Sequence, residues 1–387
     1  MNTDISTIPE KQPIYGYTGG ILRVDLSKKD ITTDYPEEVF LRKYIGGTTL
    51  GIKIIYDEVA PGVNWDDPDN RLFIGSGPLG ASRIGGSGSV SVVTKGAMTN
   101  GMASTQANGY FGAFLRLSGF DAIVLEGAAP DWVYLHIHDG AMEIRDAVHL
   151  LGKSTFDTDR IIKEELGKKL RQASVLSIGP AGENKVRFAC ICVDEGHMAS
   201  HNGVGAVMGS KKVKAIVVDR GSKEIIFKDK NALSDQAKRI LEHVKSDKGL
   251  KMPLEVGTVG GVVMSTNMGF IPVKNYTTSI HSIDQEKLEA YSVENIRLKF
   301  KAKKTPCWAC GANHCQILEI PEGKYAGRIV DEPEYEGMAA FSALVGIDDV
   351  TTTLVLASEV DRLGFDCNES GWVIAWLMEC YEKGILK

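Results

Sequence analysis

The hydrophobic pattern of the first 217 residues is typical of short β-strands separated by turns. Apolar, often β-branched segments alternate with stretches that contain glycine, which is the pattern of strands and tight turns. The predicted strands are 21–25, 72–75, 90–94, 122–125, 134–138, 173–178, 188–193 and 214–218. One helix is predicted among them, because Ser154 and Asp157 form a capping-box-like start and apolar residues follow at helical spacing as far as Leu170.

Helical periodicity dominates after residue 221. Helices are predicted at 232–246, 285–298, 337–345, 349–363 and 370–383, with a glycine-rich loop at 247–280. Gly364 follows the last apolar position of one of these helices, where a left-handed C-cap is expected. We therefore predict an α+β fold in which a strand-rich domain, residues 1–217, precedes a mainly α-helical domain, residues 218–387.

Composition and charge narrow the class of protein. The 387 residues contain 44 Lys and Arg against 50 Asp and Glu, for a net charge of −6. A mildly acidic chain is a poor partner for nucleic acid, which binds basic surfaces. The N-terminus shows no signal-peptide pattern, and the apolar stretch at 372–378 is too short to span a bilayer. We expect a cytoplasmic protein that contacts neither nucleic acid nor membrane.

Three of the seven cysteines lie close together in the sequence. Cys307, Cys310 and Cys315 have the spacing C-x2-C-x4-C. An odd cysteine count without a signal peptide argues against a disulfide framework, and closely spaced thiolates are favoured when a metal holds them. An iron–sulfur cluster is the first interpretation. Zinc, with His314 as a further ligand, is the second, and three buried free thiols are the third.

Two kinds of loop could meet a cofactor. Three glycine-rich segments, 82–91, 108–112 and 203–211, could direct backbone N–H groups at an anion, although a structural turn explains the last of them better. Asp361 and Asp366 flank the turn at Gly364 and could accept hydrogen bonds from a flat ring rich in N–H groups. The alternative for Asp361 is a solvated side chain near a helix end.

Taken together, these segments resemble the tungsten-pterin aldehyde:ferredoxin oxidoreductase family. The similarity runs from Tyr15 to the last residue of the chain. Its most specific stretches are 179–184 (GPAGEN), 203–216, 272–276 (PVKNY), the cysteine segment, 334–336 (EYE) and the Asp361–Asp366 loop.

The resemblance implies a fold, a set of cofactors and a reaction. A strand-rich base of two β-sheets would carry a tungsten or molybdenum bis-pterin, with Mg2+ at the pterin phosphates, and the helical part would cover it. Cys307, Cys310 and Cys315 would be three of the four ligands of a [4Fe–4S] cluster. Glu336 would be the catalytic residue that polarises or deprotonates the attacking water or the aldehyde hydrate. The residues implied to bind the pterin are Ser89, Gln106, Asn108, Gly109, Met198, Ala199, Asp361, Gly364, Phe365 and Asp366.

The sequence departs from the family pattern at several positions. Ser89, Gln106 and Met198 stand where the family has Arg, Asn and Arg, and the cysteine spacing is one residue longer. The family's fourth cysteine lies beyond residue 387, so we expect either that this is a fragment or that a second polypeptide supplies that ligand. A Glu-x-x-His iron site found in some members would fall on Val355 and Ser358, so we expect it to be missing here.

Three functions fit this resemblance. The first is oxidation of an aldehyde to a carboxylate, with electrons passing through the cluster to ferredoxin or a ferredoxin-like subunit. The second is low-potential reduction of an aromatic acyl-CoA at the same cofactor. The third is a non-catalytic electron-relay subunit.

Overall fold

The computed structural model describes residues 14–138, 140–247, 249 and 256–387. The strands in these residues are β1 (Gly20–Asp25), β2 (Asp30–Asp34), β3 (Leu72–Gly75), β4 (Val90–Lys95), β5 (Met102–Ala107), β6 (Phe120–Glu126), β7 (Val133–His138), β8 (Ala141–Asp146), β9 (Ala173–Ser177), β10 (Ile191–Val193), β11 (His197–Ala199), β12 (Val213–Asp219), β13 (Lys303–Lys304), β14 (Gln316–Glu319) and β15 (Ile329–Asp331). The helices are α1 (Glu38–Tyr44), α2 (Gly47–Glu58), α3 (Phe111–Leu117), α4 (Thr155–Glu165), α5 (Pro180–Glu183), α6 (Val204–Ser210), α7 (Lys230–Ser246), α8 (Gly261–Asn267), α9 (Gln285–Glu289), α10 (Val293–Lys299), α11 (Tyr335–Ala340), α12 (Val350–Leu363) and α13 (Cys367–Glu382).

The first half contains two mixed six-stranded sheets that share one core. The first sheet has the strand order β2-β1-β6-β3-β4-β5, and the second has the order β11-β10-β9-β12-β7-β8. Each contains one parallel pair, β1 with β6 and β12 with β7. Leu22 and Ile74 of the first sheet and Leu135 and Ile216 of the second belong to the same buried cluster, together with Phe114 of α3. The α+β expectation for this half is therefore confirmed.

The alternation of side chains along each strand explains why both faces of these sheets are buried. Successive side chains of a strand point to opposite faces. Ile21 and Phe73 thus face away from the shared core, where they pack against Leu50 and Ile54 of α2. The outer face of the second sheet is covered in the same way by α4, which contributes Ile162.

The second half is mainly helical and has a core of its own. Helices α8 to α12 pack around strands β14 and β15 of a small three-stranded sheet. Backbone hydrogen bonds join this half to the first: the Cys190 N–H donates to the carbonyl of Gly364, and the Asp366 N–H donates to the carbonyl of Phe188. The segment that follows α12 is therefore held directly against the strand-rich half.

Two sequence predictions differ from the structure in an informative way. The single helix expected at 285–298 is two short helices, because Ser292 caps α10 by accepting a hydrogen bond from the Asn295 N–H. The strand expected at 188–193 begins only at Ile191. The residues before it pair instead with the segment after α12, a partner that lies far away in the sequence.

No helix in the described part of the chain is both long and apolar enough to cross a membrane.

Candidate active site at the junction of the two halves

A cavity of about 840 Å³ lies where the two halves meet. This volume falls within the range of pockets that hold small molecules and cofactors. The following predicted site residues line it: Gln106, Asn108, Met198, Cys315, Glu336, Asp361 and Asp366. The structure thus brings together side chains that are up to 260 positions apart in the sequence.

Helix α12 ends as its sequence predicts, and this end aims the two aspartates. Gly364 has a φ of 78°, in the left-handed region, and its N–H donates to the carbonyl of Val360. A side chain at this position would be strained, and its Cβ would lie 2.8 Å from the backbone nitrogen of Gly179. Asp361 and Asp366 consequently sit on either side of a tight turn that is packed against the strand-rich half.

The two aspartates of this turn have opposite environments. Asp366 is fully buried, and its Oδ2 accepts a hydrogen bond of 2.8 Å from the His201 N–H. Its other oxygen, Oδ1, accepts one of 2.9 Å from the Asn368 N–H at the start of α13. Burial, and then the neighbouring Asp331, raise the pKa of Asp361 well above its usual value. Asp361 is part-buried in the cavity wall, and its side-chain partner is Asp331, a second carboxylate.

Asp331 is a member of this site that sequence reasoning missed. It lines the cavity, and its Oδ1 accepts a hydrogen bond of 2.7 Å from the Ser358 hydroxyl. It lies on β15, whereas Ser358 and Asp361 lie on α12. Two carboxylates that share a low-dielectric site repel each other unless one is protonated or a cation or donor comes between them. The cavity wall around α12 thus presents an acceptor-rich surface.

The cysteine segment is fixed to the strand-rich half by the loop before α3. The Trp308 N–H donates to the carbonyl of Gly109 over 3.2 Å, and the Tyr110 hydroxyl donates to the carbonyl of Pro306 over 2.8 Å. Gly109 has a φ of 101°, which explains the glycine there. The predicted cofactor residue Gly109 therefore acts as the contact point between the cofactor loops and the cysteines.

Two thiols and one histidine meet in this segment. Ligand atoms of His197, Cys307 and Cys315 lie within 4.8 Å of one another, and Nε2 of His197 is 3.5 Å from Sγ of Cys307. The hydrogen bond from Cys315, assisted by His197, lowers the pKa of Cys307 to about 4. The shared proton correspondingly raises the pKa of Cys315. The lowered pKa of Cys307 favours its thiolate, which is the form of cysteine that binds a metal.

The third predicted ligand, Cys310, lies outside this close group. Its sulfur accepts a hydrogen bond of 3.4 Å from the Asn313 N–H, and the turn at 307–310 is closed by the Cys310 N–H. Two buried polar atoms of the same loop, Oδ1 of Asn313 and Nδ1 of His314, have no hydrogen-bond partner among the described residues. Thiols and unpartnered polar atoms around one loop fit a metal centre. Nε2 of His314 is 3.6 Å from Sγ of Cys315, so the zinc interpretation with His314 as a further ligand also has a structural basis.

The other predicted cofactor residues are next to residues that line the cavity, in the sequence or through a hydrogen bond. The Ser89 hydroxyl donates to Oδ1 of Asn108 over 2.8 Å, and Gln106 donates to the Thr48 hydroxyl over 3.3 Å. Met198 and Ala199 lie on β11, where Ala199 is buried. Phe365 packs its ring 5.7 Å from that of Phe188. Ser89, Gly109, Ala199, Gly364, Phe365, Cys307 and Cys310 do not line the cavity themselves.

Asp194 and His197 were also missed by sequence reasoning. Oδ2 of Asp194 accepts a hydrogen bond of 2.7 Å from the Tyr110 N–H, and its Oδ1 accepts one of 2.7 Å from the Ser174 hydroxyl. Asp194 thereby ties β9 to the loop that carries Gly109. No local signal marks either residue, because both act through partners distant in the sequence.

The glycine-rich segment at 203–211 serves packing. It forms the short helix α6, whose residues are almost all buried. A Cβ on Gly209 would lie 1.9 Å from the carbonyl oxygen of Gly182, so α5 and α6 approach each other through backbone atoms. The segment is therefore a packing element, although it is a helix where the sequence predicted a turn.

Comparison with known proteins agrees with this arrangement. A family model described as "Aldehyde ferredoxin oxidoreductase, N-terminal domain" matches residues 21–220. A second, described as "Aldehyde ferredoxin oxidoreductase, domains 2 & 3", matches residues 235–387. The two models together cover most of the chain.

Individual relatives give the same result. The tungsten-containing aldehyde ferredoxin oxidoreductases of Pyrococcus abyssi and Pyrococcus furiosus are 37% identical over 378 residues and 36% identical over 377 residues. Each alignment covers 97% of this chain and 60% of the relative, so the chain spans about three-fifths of the length of these relatives. The aliphatic sulfonate oxidoreductase, WOR-like subunit, of Pyrococcus furiosus is 31% identical, covering 96% of this chain and 61% of the relative.

A solved structure shares the fold. The active-site complex BamBC of benzoyl coenzyme A reductase, in complex with 1,5-dienoyl-CoA, superimposes with a TM-score of 0.87 at 28% identity. The match covers 96% of this chain and 57% of that chain. Given the two family models, the relatives and the shared fold, the chain belongs to the aldehyde ferredoxin oxidoreductase family.

Proposed function

We propose that this chain forms the cofactor-binding part of an oxidoreductase that oxidises an aldehyde to a carboxylate and passes the electrons through a [4Fe–4S] cluster to ferredoxin or a ferredoxin-like subunit. The observation that carries the proposal is the cavity at the junction, whose lining brings together Asp361, Asp366, Glu336 and Cys315. A tungsten or molybdenum bis-pterin bound there would supply the two-electron chemistry. The protein would supply position, acceptors and a base.

The aspartates of the α12 turn would hold the pterin. A pterin edge presents N–H donors, and carboxylates are the strongest acceptors for them. Asp361 lies beside a second carboxylate, Asp331, and the N–H groups of such a ring would donate hydrogen bonds to it. Asp366 already accepts hydrogen bonds that fix the turn. Asp361 would therefore be the recognition residue and Asp366 the positioning residue. Mg2+ at the pterin phosphates remains part of the proposal.

Glu336 would act as the base. It lies in the first turn of α11, and its exposed side chain faces the cavity. A carboxylate in this position can accept a proton from a water or aldehyde hydrate bound in the cavity. Because it is not needed to hold the cofactor, Glu336→Gln should lower kcat strongly and leave the tungsten content unchanged. Loss of tungsten in that variant would make the residue structural instead.

Cys307, Cys310 and Cys315 would hold the cluster together with a fourth ligand. The thiolate character of Cys307 and the unpartnered polar atoms of the loop support a metal there. We expect Cys310→Ala to lose the brown absorption of an iron–sulfur cluster and most of its iron. Cys380→Ala is the matched control, because Cys380 is a buried free cysteine on α13. Equal iron in the two variants would contradict the assignment.

Reduction of an aromatic acyl-CoA is the second candidate function. It is favoured by the TM-score of 0.87 to a benzoyl coenzyme A reductase complex and by the departures at Ser89, Gln106 and Met198. The same cavity and aspartate turn would hold the cofactor, and a different substrate would enter. A non-catalytic relay subunit is the third candidate.

A partner surface accompanies these functions. The side chains of Trp372, Trp376 and Tyr381 on α13 are 40%, 56% and 69% exposed. Contiguous exposed apolar side chains of this size mark a protein contact. We propose that polypeptide equivalent to the remaining two-fifths of the relatives, in the same or a second chain, covers α13 and supplies the fourth cluster ligand. Trp376→Asp should then weaken that association, and unchanged association would refute this contact.

Elemental analysis and two assays test the proposal. A catalytic or relay protein purified without oxygen should contain tungsten or molybdenum and about four iron atoms per chain. Zinc as the sole metal would refute all three functions. Oxidation of aldehydes with a viologen dye would then support the first function, and reduction of an aromatic acyl-CoA with a strong reductant would support the second. Activity in neither assay, with full metal content, would support the relay.

A further inference from the structure

A cluster of metal-binding side chains lies on the second sheet, away from the cofactor cavity. His136 and His138 lie on β7, two positions apart, so both imidazoles face the same side of the sheet. Glu143 on β8 is the antiparallel partner of His136 in the strand register, and its side chain therefore lies on that side as well. None of the three lines the cavity.

The three side chains converge on one point. One ligand atom from each of His136, His138 and Glu143 lies within 4.8 Å of the other two. The imidazole rings are 4.5 Å apart, and Nε2 of His138 is 3.0 Å from Oε1 of Glu143. Oε2 of the same carboxylate accepts a hydrogen bond of 2.7 Å from Arg145. The ligand oxygen is thus held in place from its other side.

A supporting group already orients His136. Its Nε2 is 3.2 Å from Oδ1 of Asp219 on β12, and Oδ2 of Asp219 forms a 2.6 Å ion pair with Lys168. Histidines that bind metals usually donate their second ring N–H to a carboxylate in this way. With Nε2–H donated to Asp219, the lone pair of His136 is on Nδ1. That nitrogen is buried and has no hydrogen-bond partner in the described part of the chain.

We propose that His136, His138 and Glu143 bind a divalent transition-metal ion, Zn2+ or Fe2+. Two imidazoles and one carboxylate form a donor set that suits both ions. The side chains of His138 and Glu143 are 25% and 47% exposed, so the ion would keep an open position toward solvent. The bound ion would cross-link β7 to the edge strand β8.

Equilibrium dialysis of the full chain against buffered Zn2+, followed by elemental analysis, tests the site. His138→Gln should contain one zinc ion per chain fewer than the unsubstituted protein. Zinc at the cysteine segment would be common to both proteins and cancels in the difference. His149→Gln is the matched control, because His149 forms a 2.6 Å pair with Glu165 on the surface and joins no such cluster among the residues that the structure describes. It should keep the full zinc content.

Three further measurements sharpen the result. Glu143→Gln, at a half-exposed position, should lose the same ion, which guards against a folding defect in His138→Gln. Asp219→Asn should weaken the affinity by about 10- to 100-fold without changing the stoichiometry, as a supporting partner does. The same dialysis with Fe2+ under anaerobic conditions identifies the preferred ion. Equal content of both ions in the unsubstituted protein, His138→Gln and Glu143→Gln would overturn the proposal.

Discussion

The two aspartates of the α12 turn should respond to substitution in opposite directions. In the cofactor-free chain, Asp361→Asn replaces one of two mutually repelling carboxylates by an amide that can donate to Asp331. Two unit charges about 4 Å apart interact by ~4 kcal/mol at an effective dielectric constant of ~20. Because Asp361 escapes part of this repulsion by taking up a proton, we expect the variant to gain only about 1–3 kcal/mol at pH 8.

The dependence on pH follows from the direction of the pKa shift. The folded-state pKa of Asp361 is raised above its unfolded value of about 3.9, so the folded state holds the proton over the interval between them. The free energy of unfolding of the wild-type chain therefore decreases as the pH rises from about 4 toward the folded-state pKa of Asp361. The Asp361→Asn variant lacks this loss. Its advantage should grow from near zero at pH 4 to its full size at the higher pH.

Urea unfolding of the cofactor-free chain, followed by tryptophan fluorescence, measures this effect. Asp366→Ala is the contrast, because it removes the acceptor for the His201 and Asn368 N–H groups and the N-cap of α13. Removing a cap and one further buried hydrogen bond should cost about 2–3 kcal/mol. Equal destabilisation by Asp361→Asn and Asp366→Ala at pH 8 would refute the reasoning. The gain at Asp361 should come with weaker retention of tungsten in the loaded protein.

Two further substitutions test the fold that carries the site. Arg116→Met breaks the buried ion pair with Asp121 and should cost about 3–5 kcal/mol in urea unfolding, whereas Arg160→Ala, which removes an exposed ion pair with Glu164, should leave the unfolding midpoint nearly unchanged; similar losses would contradict the difference in burial. Gly209→Ala places a Cβ 1.9 Å from the Gly182 carbonyl oxygen, so it should lower both the urea midpoint of unfolding and the tungsten content of the loaded protein. An unchanged midpoint would show that α5 and α6 can move apart.

Local features of the fold followed well from the sequence. Strand β3 was predicted at its observed bounds, and β4 to within one residue, because β-branched apolar runs suit a buried strand. The left-handed cap at Gly364 was also predicted correctly, since a glycine after the last apolar position of a helix has few other roles. The family resemblance supplied the candidate site residues, and the family itself is confirmed.

Other features could not be derived locally. Helices α3 and α6 were not predicted, because each overlaps a glycine-rich segment that resembles a loop. In the structure, glycine at these positions allows close packing between elements. Asp331, Asp194 and His197 have no sequence signal, because their significance depends on partners that other elements bring to them.

The sequence by itself determined that a strand-rich half precedes a mainly helical half, the caps at Ser154 and Gly364 and, through the resemblance, the family. The order of elements and the two caps depend on periodicity and spacing over a few residues, because backbone geometry fixes which neighbouring side chains share a face. The family depends on the resemblance of longer stretches. The tertiary structure alone decided that Asp361 lies beside Asp331, that Cys307 meets His197, and that His136 faces Glu143 with Asp219 behind it. The electrostatic environment, burial and ligand distances of a side chain depend on its neighbours in space, so they are set only when distant segments of the chain pack together.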